Sequence, residues 1–185
     1  MVIQEGYFYH IKDSFYQEVS DNTLMSNKED GGYRPHYFAI RDTKNSDIFW
    51  LVPVSSKYSK YKAFHDKQVA KYHKCTKVVL GKFAGTDHAF LIQNAFPVTA
   101  DYFDHIHTRF GQPATIAERT EKEIIKCLKS NLALHRRGIR LFFADIDRIY
   151  ALMEEKLQSR HQRVQRKLRL FFYASHGRPC FPKCP

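Results

Sequence analysis

Hydrophobic and polar positions change period several times along this chain, and each change marks an element. Residues 7–11 predict a first strand, and residues 14–19 a short helix entered from Ser14 or Asp13. The polar run 20–32, which ends in Gly31-Gly32, predicts a mobile loop. Residues 34–40 and 48–54 are rich in aromatic and β-branched types, and the link Asp42-Thr43-Lys44-Asn45-Ser46-Asp47 is made of turn formers. Those features predict a β-hairpin. From Lys57 to about Tyr72 the period becomes helical: Tyr58, Tyr61, Phe64 or His65, Val69 and Tyr72 recur every three or four residues, with lysines on the other side. Residues 76–83 and 88–93 flank Gly85-Thr86-Asp87 as a second hairpin, which brings the strands to at least five.

After Pro97 the pattern predicts helices. Thr99 caps one through Asp101, Tyr102 and Phe103, and Thr115-x-x-Glu118 is a capping box that opens a long helix to about His135. Its inward stripe is Ile124, Ile125, Leu128, Leu132 and Ala117, and Gly138 is the natural stop. Residues 139–144 predict a short apolar strand. Asp145 caps a last helix with Ile146, Ile149, Tyr150 and Met153 facing inward. Strands early and helices late, without βαβ alternation, argue for an α+β domain. It is built on a mostly antiparallel sheet or small β-barrel flanked by helices. Beyond Glu154 the helix changes character, since Arg160, Arg163, Arg166, Lys167 and Arg169 surround few apolar residues. The expected organisation is a domain over residues 1–155 and a basic helical C-terminal arm over 156–185. Within the arm, Leu170-Phe171-Phe172-Tyr173 is an apolar patch able to pack on the body or on another chain.

Composition narrows the class. At 185 residues, 43% hydrophobic and 15% aromatic, the chain can bury one real core. The net charge of +11 is uneven: residues 156–185 hold eight Lys or Arg and no acid, so the first 155 carry only +3. No basic segment followed by an apolar run opens the chain, and no apolar run reaches about 18 residues, so a cytoplasmic protein without a membrane partner is expected. Cys75, Cys127, Cys180 and Cys184 are scattered, which suits free thiols. His176-x3-Cys180-x3-Cys184 offers three zinc ligands but no fourth, and Pro179, Pro182 and Pro185 interrupt it. No metal and no cofactor are expected.

The chemistry-bearing segment is the far end of the first hairpin. There Ser55-Ser56-Lys57-Tyr58-Ser59-Lys60-Tyr61-Lys62 places hydroxyls beside lysines and tyrosines, a combination suited to gripping phosphate and stacking a base. Arg34 and Tyr33 stand at the start of the partner strand, with His36 two residues on. Without a metal, RNA is cut most readily when its own 2′-hydroxyl attacks the adjacent phosphate. That step needs a proton acceptor, a cation for the phosphoryl oxygens and a donor for the leaving oxygen. His36, with an ordinary pKa of about 6.5, can exchange protons near neutrality. Lys57 and Arg34 can hold the phosphate. Ser56, with Ser55 beside it, can orient the 2′-hydroxyl; no Ser-His-Asp spacing argues for a covalent nucleophile. Structural alternatives stand beside each role. Ser55 or Ser56 can cap the following helix, where N–H groups attract phosphate in any case. His36 can be a buried strand histidine, and Tyr33 a packing residue. Arg136 and Arg137 either bind phosphate or complement a helix C-terminus.

Two runs bring a family into view: Arg34-Pro35-His36-Tyr37, and Trp50-Leu51-Val52-Pro53-Val54-Ser55-Ser56-Lys57 with Lys60-Tyr61-Lys62. Together with residues 89–99 they resemble the toxins of type III toxin-antitoxin systems, the ToxN, AbiQ, CptN and TenpN group, and within it the CptN and TenpN branch. The resemblance spans roughly residues 5–155. It implies a metal-independent endoribonuclease of compact, partly open β-barrel fold that leaves 2′,3′-cyclic phosphate and 5′-hydroxyl ends. It also implies inhibition by a structured repeat antitoxin RNA, with cellular mRNA as the target and a role in phage defence. The expected assembly is a protein–RNA hetero-oligomer formed from a monomeric free protein. By position, Ser56 matches the family's key serine and Ser55 its neighbouring hydroxyl; His36 stands where some relatives carry lysine or tyrosine. The competing readings are a non-catalytic RNA-binding module and a structural interaction protein with a basic tail.

Overall fold

The computed structural model describes residues 2–29 and 31–175, without the side chains of Glu29 and of residues 170–175. The chain runs β1 (Phe8–Ile11), α1 (Asp13–Val19), β2 (Lys28–Glu29), β3 (Gly32–Tyr33), β4 (His36–Arg41), β5 (Ile48–Ser55) and α2 (Tyr58–Tyr72). It continues through β6 (Val79–Phe83), β7 (Thr86–Phe90), β8 (Phe96–Thr99), β9 (Phe103–Ile106), β10 (Thr108–Arg109), β11 (Gln112–Pro113), α3 (Glu118–His135) and α4 (Ile146–Ser175). Seven strands form one antiparallel sheet in the order β6-β7-β5-β4-β1-β9, with β8 also on β5. This is the expected α+β class. The sheet stays open, because its edges β6 and β9 do not pair with each other.

Strand β5 organises the molecule. All eight of its residues are buried, as a central strand covered on both faces requires. Along one edge it pairs with β4. Along the other its first half pairs with β8, Ile48 opposite Thr99 through Leu51 opposite Phe96, and its last two residues pair with β7. Against β4 the register shifts between Phe38 and Ile40, so Ala39 is an extra residue that bends that strand. Helix α3 packs on β4 and β6, α2 on β6 and β7, and α4 on β8. The core is aromatic: Phe8, Tyr9, Phe15, Tyr37, Phe38, Phe90 and Phe96 are sealed, and Phe8 lies 4.2 Å from Phe83 and 5.0 Å from Tyr37, ring centre to ring centre. Truncating one such ring costs about 3–5 kcal/mol.

Several elements depart from the pattern of the sequence. The 20–32 loop carries a two-residue hairpin, β2 against β3. Pro97 does not open a helix: it lies inside β8 opposite Trp50, and 100–102 is a single tight turn before β9. Residues 139–144 form no strand, and Ile139 and Phe143 face solvent. The second hairpin turns more tightly than expected, at Ala84-Gly85, where both residues have positive φ, 53° and 85°. That geometry suits glycine and matches the strand twist. The helical aromatic stripe of α2 is not a core stripe, since no α2 residue is buried. Tyr61 and Phe64 rest on a small cluster of Cys75, Val78, Ala89 and Leu91, while Val69 and Tyr72 are exposed. Neither expected capping side chain closes the N-terminus of α3, whose cap position is Ala117. Asp145 does cap α4, its Oδ1 accepting from the Arg148 amide at 3.1 Å. The expected helical arm runs on from the body within α4; Leu157 is its last buried residue among those described. Residues 176–185, with His176, Cys180 and Cys184, lie outside the described residues, as do the side chains of the 170–173 apolar patch.

Candidate active site

The far end of the first hairpin is built by pairing. His36 of β4 lies opposite Pro53 of β5 and opposite Tyr9 of β1, and the Val54 amide donates to the Pro35 carbonyl at 3.2 Å. Arg34 therefore arrives beside the last residues of β5. Its guanidinium is buried and donates through Nη1 to the Val54 carbonyl at 2.7 Å and through Nε to the Ser26 carbonyl at 3.1 Å. A buried cation thus braces the backbone immediately before the serine pair from behind. Arg34 supports the corner and does not project from it.

The two serines part company at this corner. Ser55, 1% exposed, ends β5 opposite Ala89, and its Oγ accepts from the Lys57 amide at 3.3 Å. Ser56 is exposed, and its carbonyl accepts from the Tyr58 amide at 2.7 Å. The helix-capping role is only half realised, because the cap position of α2 is Lys57, with no side-chain cap. Ser55 tightens the turn; Ser56 is exposed at the first turn of α2, where the helix dipole favours an anion. Lys57 is exposed beside it, with no acidic side chain in ion-pair range among the described residues. Tyr58 and Tyr61 are half-buried and Lys60 is exposed, its Nζ 5.6 Å over the Tyr61 ring. Lys62 is turned away from this group into an ion pair with Asp66 at 2.5 Å, one helical turn on.

Tyr33 is half exposed, and its hydroxyl donates to Asp13 Oδ2 at 2.9 Å. Lys28 Nζ lies 4.8 Å over the same ring, and Asn27 donates to the Ile11 carbonyl and to Asp13 Oδ1. Asp13 opens α1, as the sequence suggested, but its contact with Tyr33 was not legible there; Asn27 and Lys28 come from the 20–32 loop, and the β2–β3 pairing brings Lys28 to Tyr33.

His36 is a correction. It is wholly buried, its Nε2 is 3.0 Å from the Tyr16 hydroxyl, and its ring meets Phe96 edge-on. Burial first, then the charges of Arg34 and His10, push its pKa down to about 3. A sealed, neutral imidazole cannot touch a polynucleotide, so the expected proton transfer with substrate does not fit this position. Arg136 and Arg137 stand elsewhere on the fold. Arg136 lines a niche of about 120 Å³ with Asp42, Lys44, Trp50 and Tyr150, at the turn end of the hairpin. From Trp50 to Ser56 the chain runs about 20 Å at ~3.3 Å per residue. The two arginines, both exposed and just past α3, do not join the serine corner.

A group of imidazoles went unnoticed in the sequence. His10 Nε2 is 2.9 Å from His107 Nδ1, and the His105 ring stacks on His10 at 4.5 Å. Burial and then the neighbouring His105 and His107 lower the His10 pKa to about 4. Among the described residues no group of histidine, cysteine or acidic side chains is arranged to hold a metal, and no helix is long and apolar enough to cross a membrane.

The architecture defines the class first: a mixed α+β chain on an open antiparallel sheet whose central strand is followed by an exposed serine and lysine. No family model matches the chain, and no curated protein matches it. Among solved structures it is similar to AbiQ, a lactococcal anti-phage endoribonuclease belonging to the type III toxin-antitoxin system. The TM-score is 0.58 at 12% identity, over 82% of this chain and 98% of that one. The two share a fold.

Proposed function

We propose that this chain is an endoribonuclease toxin of a type III toxin-antitoxin system, acting in the cytoplasm and held inactive by a structured repeat RNA. The single observation that carries the reading is the exposed Ser56-Lys57 corner at the start of α2, on a fold shared with an endoribonuclease. The reaction needs no metal: the substrate's 2′-oxygen attacks the adjacent phosphorus, the bond to the 5′-oxygen breaks, and a cyclic phosphate and a 5′-hydroxyl result. Lys57 and the positive end of the α2 dipole hold the phosphoryl oxygens, where negative charge grows. Ser56 orients the 2′-hydroxyl. Arg34 fixes the backbone from behind, and Tyr33 and Tyr58 offer faces on which bases stack. A role in phage defence follows from the same reading.

The burial of His36 favours one rival, an RNA-binding module that does not cut, because the histidine expected to accept the 2′ proton is sealed away from the Ser56 corner. One assay separates the two. Purified protein is incubated with end-labelled RNA in EDTA: 2′,3′-cyclic phosphate ends support the nuclease, and retained, intact RNA overturns it in favour of the binder.

A further inference from the structure

Helix α4 does not lie flush against the body over its whole length. Between it, α1 and the 100–102 turn runs a cleft of about 520 Å³. Five cations line it: Lys12 at the entry to α1, and Lys156, Arg160, Arg163 and Lys167 along α4. Two carboxylates face them. Glu18 pairs with Lys156 and accepts from the Tyr102 hydroxyl at 2.9 Å, and Asp101 lies 3.4 Å from Arg160. Lys12 donates to the Asp101 carbonyl at 2.7 Å. Arg163 and Lys167 have no acidic partner among the described residues. The internal pairs orient one end of the row and leave the other end as uncompensated positive charge.

The spacing suits a polymer of anions. Arg160, Arg163 and Lys167 share one helical face, and Lys156 stands a turn earlier, so the row extends for about 16 Å at ~1.5 Å per residue. The lining mixes polar and apolar surface, but its exposed apolar part is Val164 and the stems of the cations rather than an aromatic side chain, since Tyr102 is almost wholly buried. An acidic protein partner would call for an apolar anchor at the centre of the contact. A phosphodiester backbone calls only for charge at intervals and gains by counterion release. Arginine adds forked recognition of each phosphate.

We infer that the cleft between α1 and α4 is a second RNA-binding surface, which grips the phosphate backbone through Arg163 and Lys167 and takes no part in the chemistry at Ser56. The inference rests on RNA being the ligand of this protein. It does not rest on cleavage. One helix joins the two surfaces: Asp13 at the start of α1 holds Tyr33, while Ser14 and Glu18 on the same helix line the cleft.

The test uses the full chain and a fluorescein-labelled 2′-O-methyl RNA, which lacks the attacking hydroxyl and reports binding alone. The double variant Arg163→Glu/Lys167→Glu is compared with Lys126→Glu/Lys129→Glu, the same charge change on exposed positions of α3. Equal thermal midpoints establish that both are folded. The cleft variant is expected to bind about tenfold more weakly at low salt, with a log–log salt slope shallower by about 1.4, and the α3 control much less. Equal weakening in both variants would reduce the effect to net charge and overturn the inference. Complete displacement of the RNA by polyglutamate at matched charge concentration would reassign the cleft to an acidic protein. Failure of wild-type protein to cut ordinary RNA, with the cleft effect intact, would remove the nuclease reading and leave this one standing. Normal cutting with unchanged RNA retention would do the reverse.

Discussion

The guanidinium of Arg34 and the carbonyl of Val54 are joined by a buried hydrogen bond of 2.7 Å. The residue that resembled a phosphate clamp is a brace behind the corner that carries Ser56. Replacing it removes donors from the Val54 and Ser26 carbonyls, and each buried acceptor left bare costs about 1–3 kcal/mol. Arg34→Ala is therefore expected to lower the urea unfolding free energy by about 2–5 kcal/mol. Arg34→Lys should recover part of that but not the forked geometry. An unfolding curve unchanged by Arg34→Ala would show that the brace carries no weight.

Ser56 is exposed and lies outside the buried core. Ser56→Ala should leave the thermal midpoint and the affinity for uncleavable RNA close to wild type, with stability within about 0.5 kcal/mol. Cleavage should fall by at least about a hundredfold if the group orients the 2′-oxygen. A variant that still cuts at the wild-type rate assigns the chemistry elsewhere.

His36 and His10 give the protein a signed pH dependence. Both have pKa values below the ordinary histidine value, at about 3 and about 4, so in acid the unfolded chain takes up protons before the folded one does. Stability is complete above the unfolded value of about 6.5 and drains away as pH falls from there toward 3, by an amount on the order of a few kcal/mol from His36 alone. Urea midpoints at pH 7.5, 5.5 and 4.5 should decline in that order. His36→Gln should flatten the decline; a midpoint independent of pH would mean that the imidazole is not sealed.

Asp42 ties the hairpin turn to α4. Its Oδ2 accepts from Trp50 Nε1 at 3.0 Å, and its Oδ1 from the Lys44 amide, the Asn45 amide and the Tyr150 hydroxyl. Burial works to raise its pKa, and the donors, Trp50 first, outweigh it and hold it below the usual carboxylate range. Asp42→Ala should cost about 2–4 kcal/mol and Tyr150→Phe about 1. A double-mutant cycle should return a coupling between them, and strict additivity would show that the link is idle.

The elements legible in the sequence are those whose period matches their environment. Strands β4 and β5 read as a hairpin because turn formers separate two β-rich runs, and α3 reads as a helix because Ile124, Leu128 and Leu132 recur on the buried face. The aromatics of α2 share that period without the burial. Tyrosine and lysine on an exposed helix look like a core stripe until the neighbouring sheet is seen to cover only Tyr61 and Phe64. Strand β9 was hidden because Phe103-Asp104-His105-Ile106 has one sealed residue and one half-buried one, and its partner β1 lies over ninety positions away. The site was half legible. Ser56 and Lys57 are local features of a strand end. Whether His36 is a reagent or a sealed rung depends on Tyr9, Tyr16 and Phe96 from three other elements, and no local pattern encodes that.

Strand β5 exchanges β8 for β7 as its neighbour midway along, around Val52 and Pro53. Its two ends therefore rest on different neighbours along that edge, β8 at the loop end and β7 at the hydroxyl end, while β4 runs along the other edge from Phe49 to Pro53 and carries the register of the Asp42–Asp47 loop through to the serine corner.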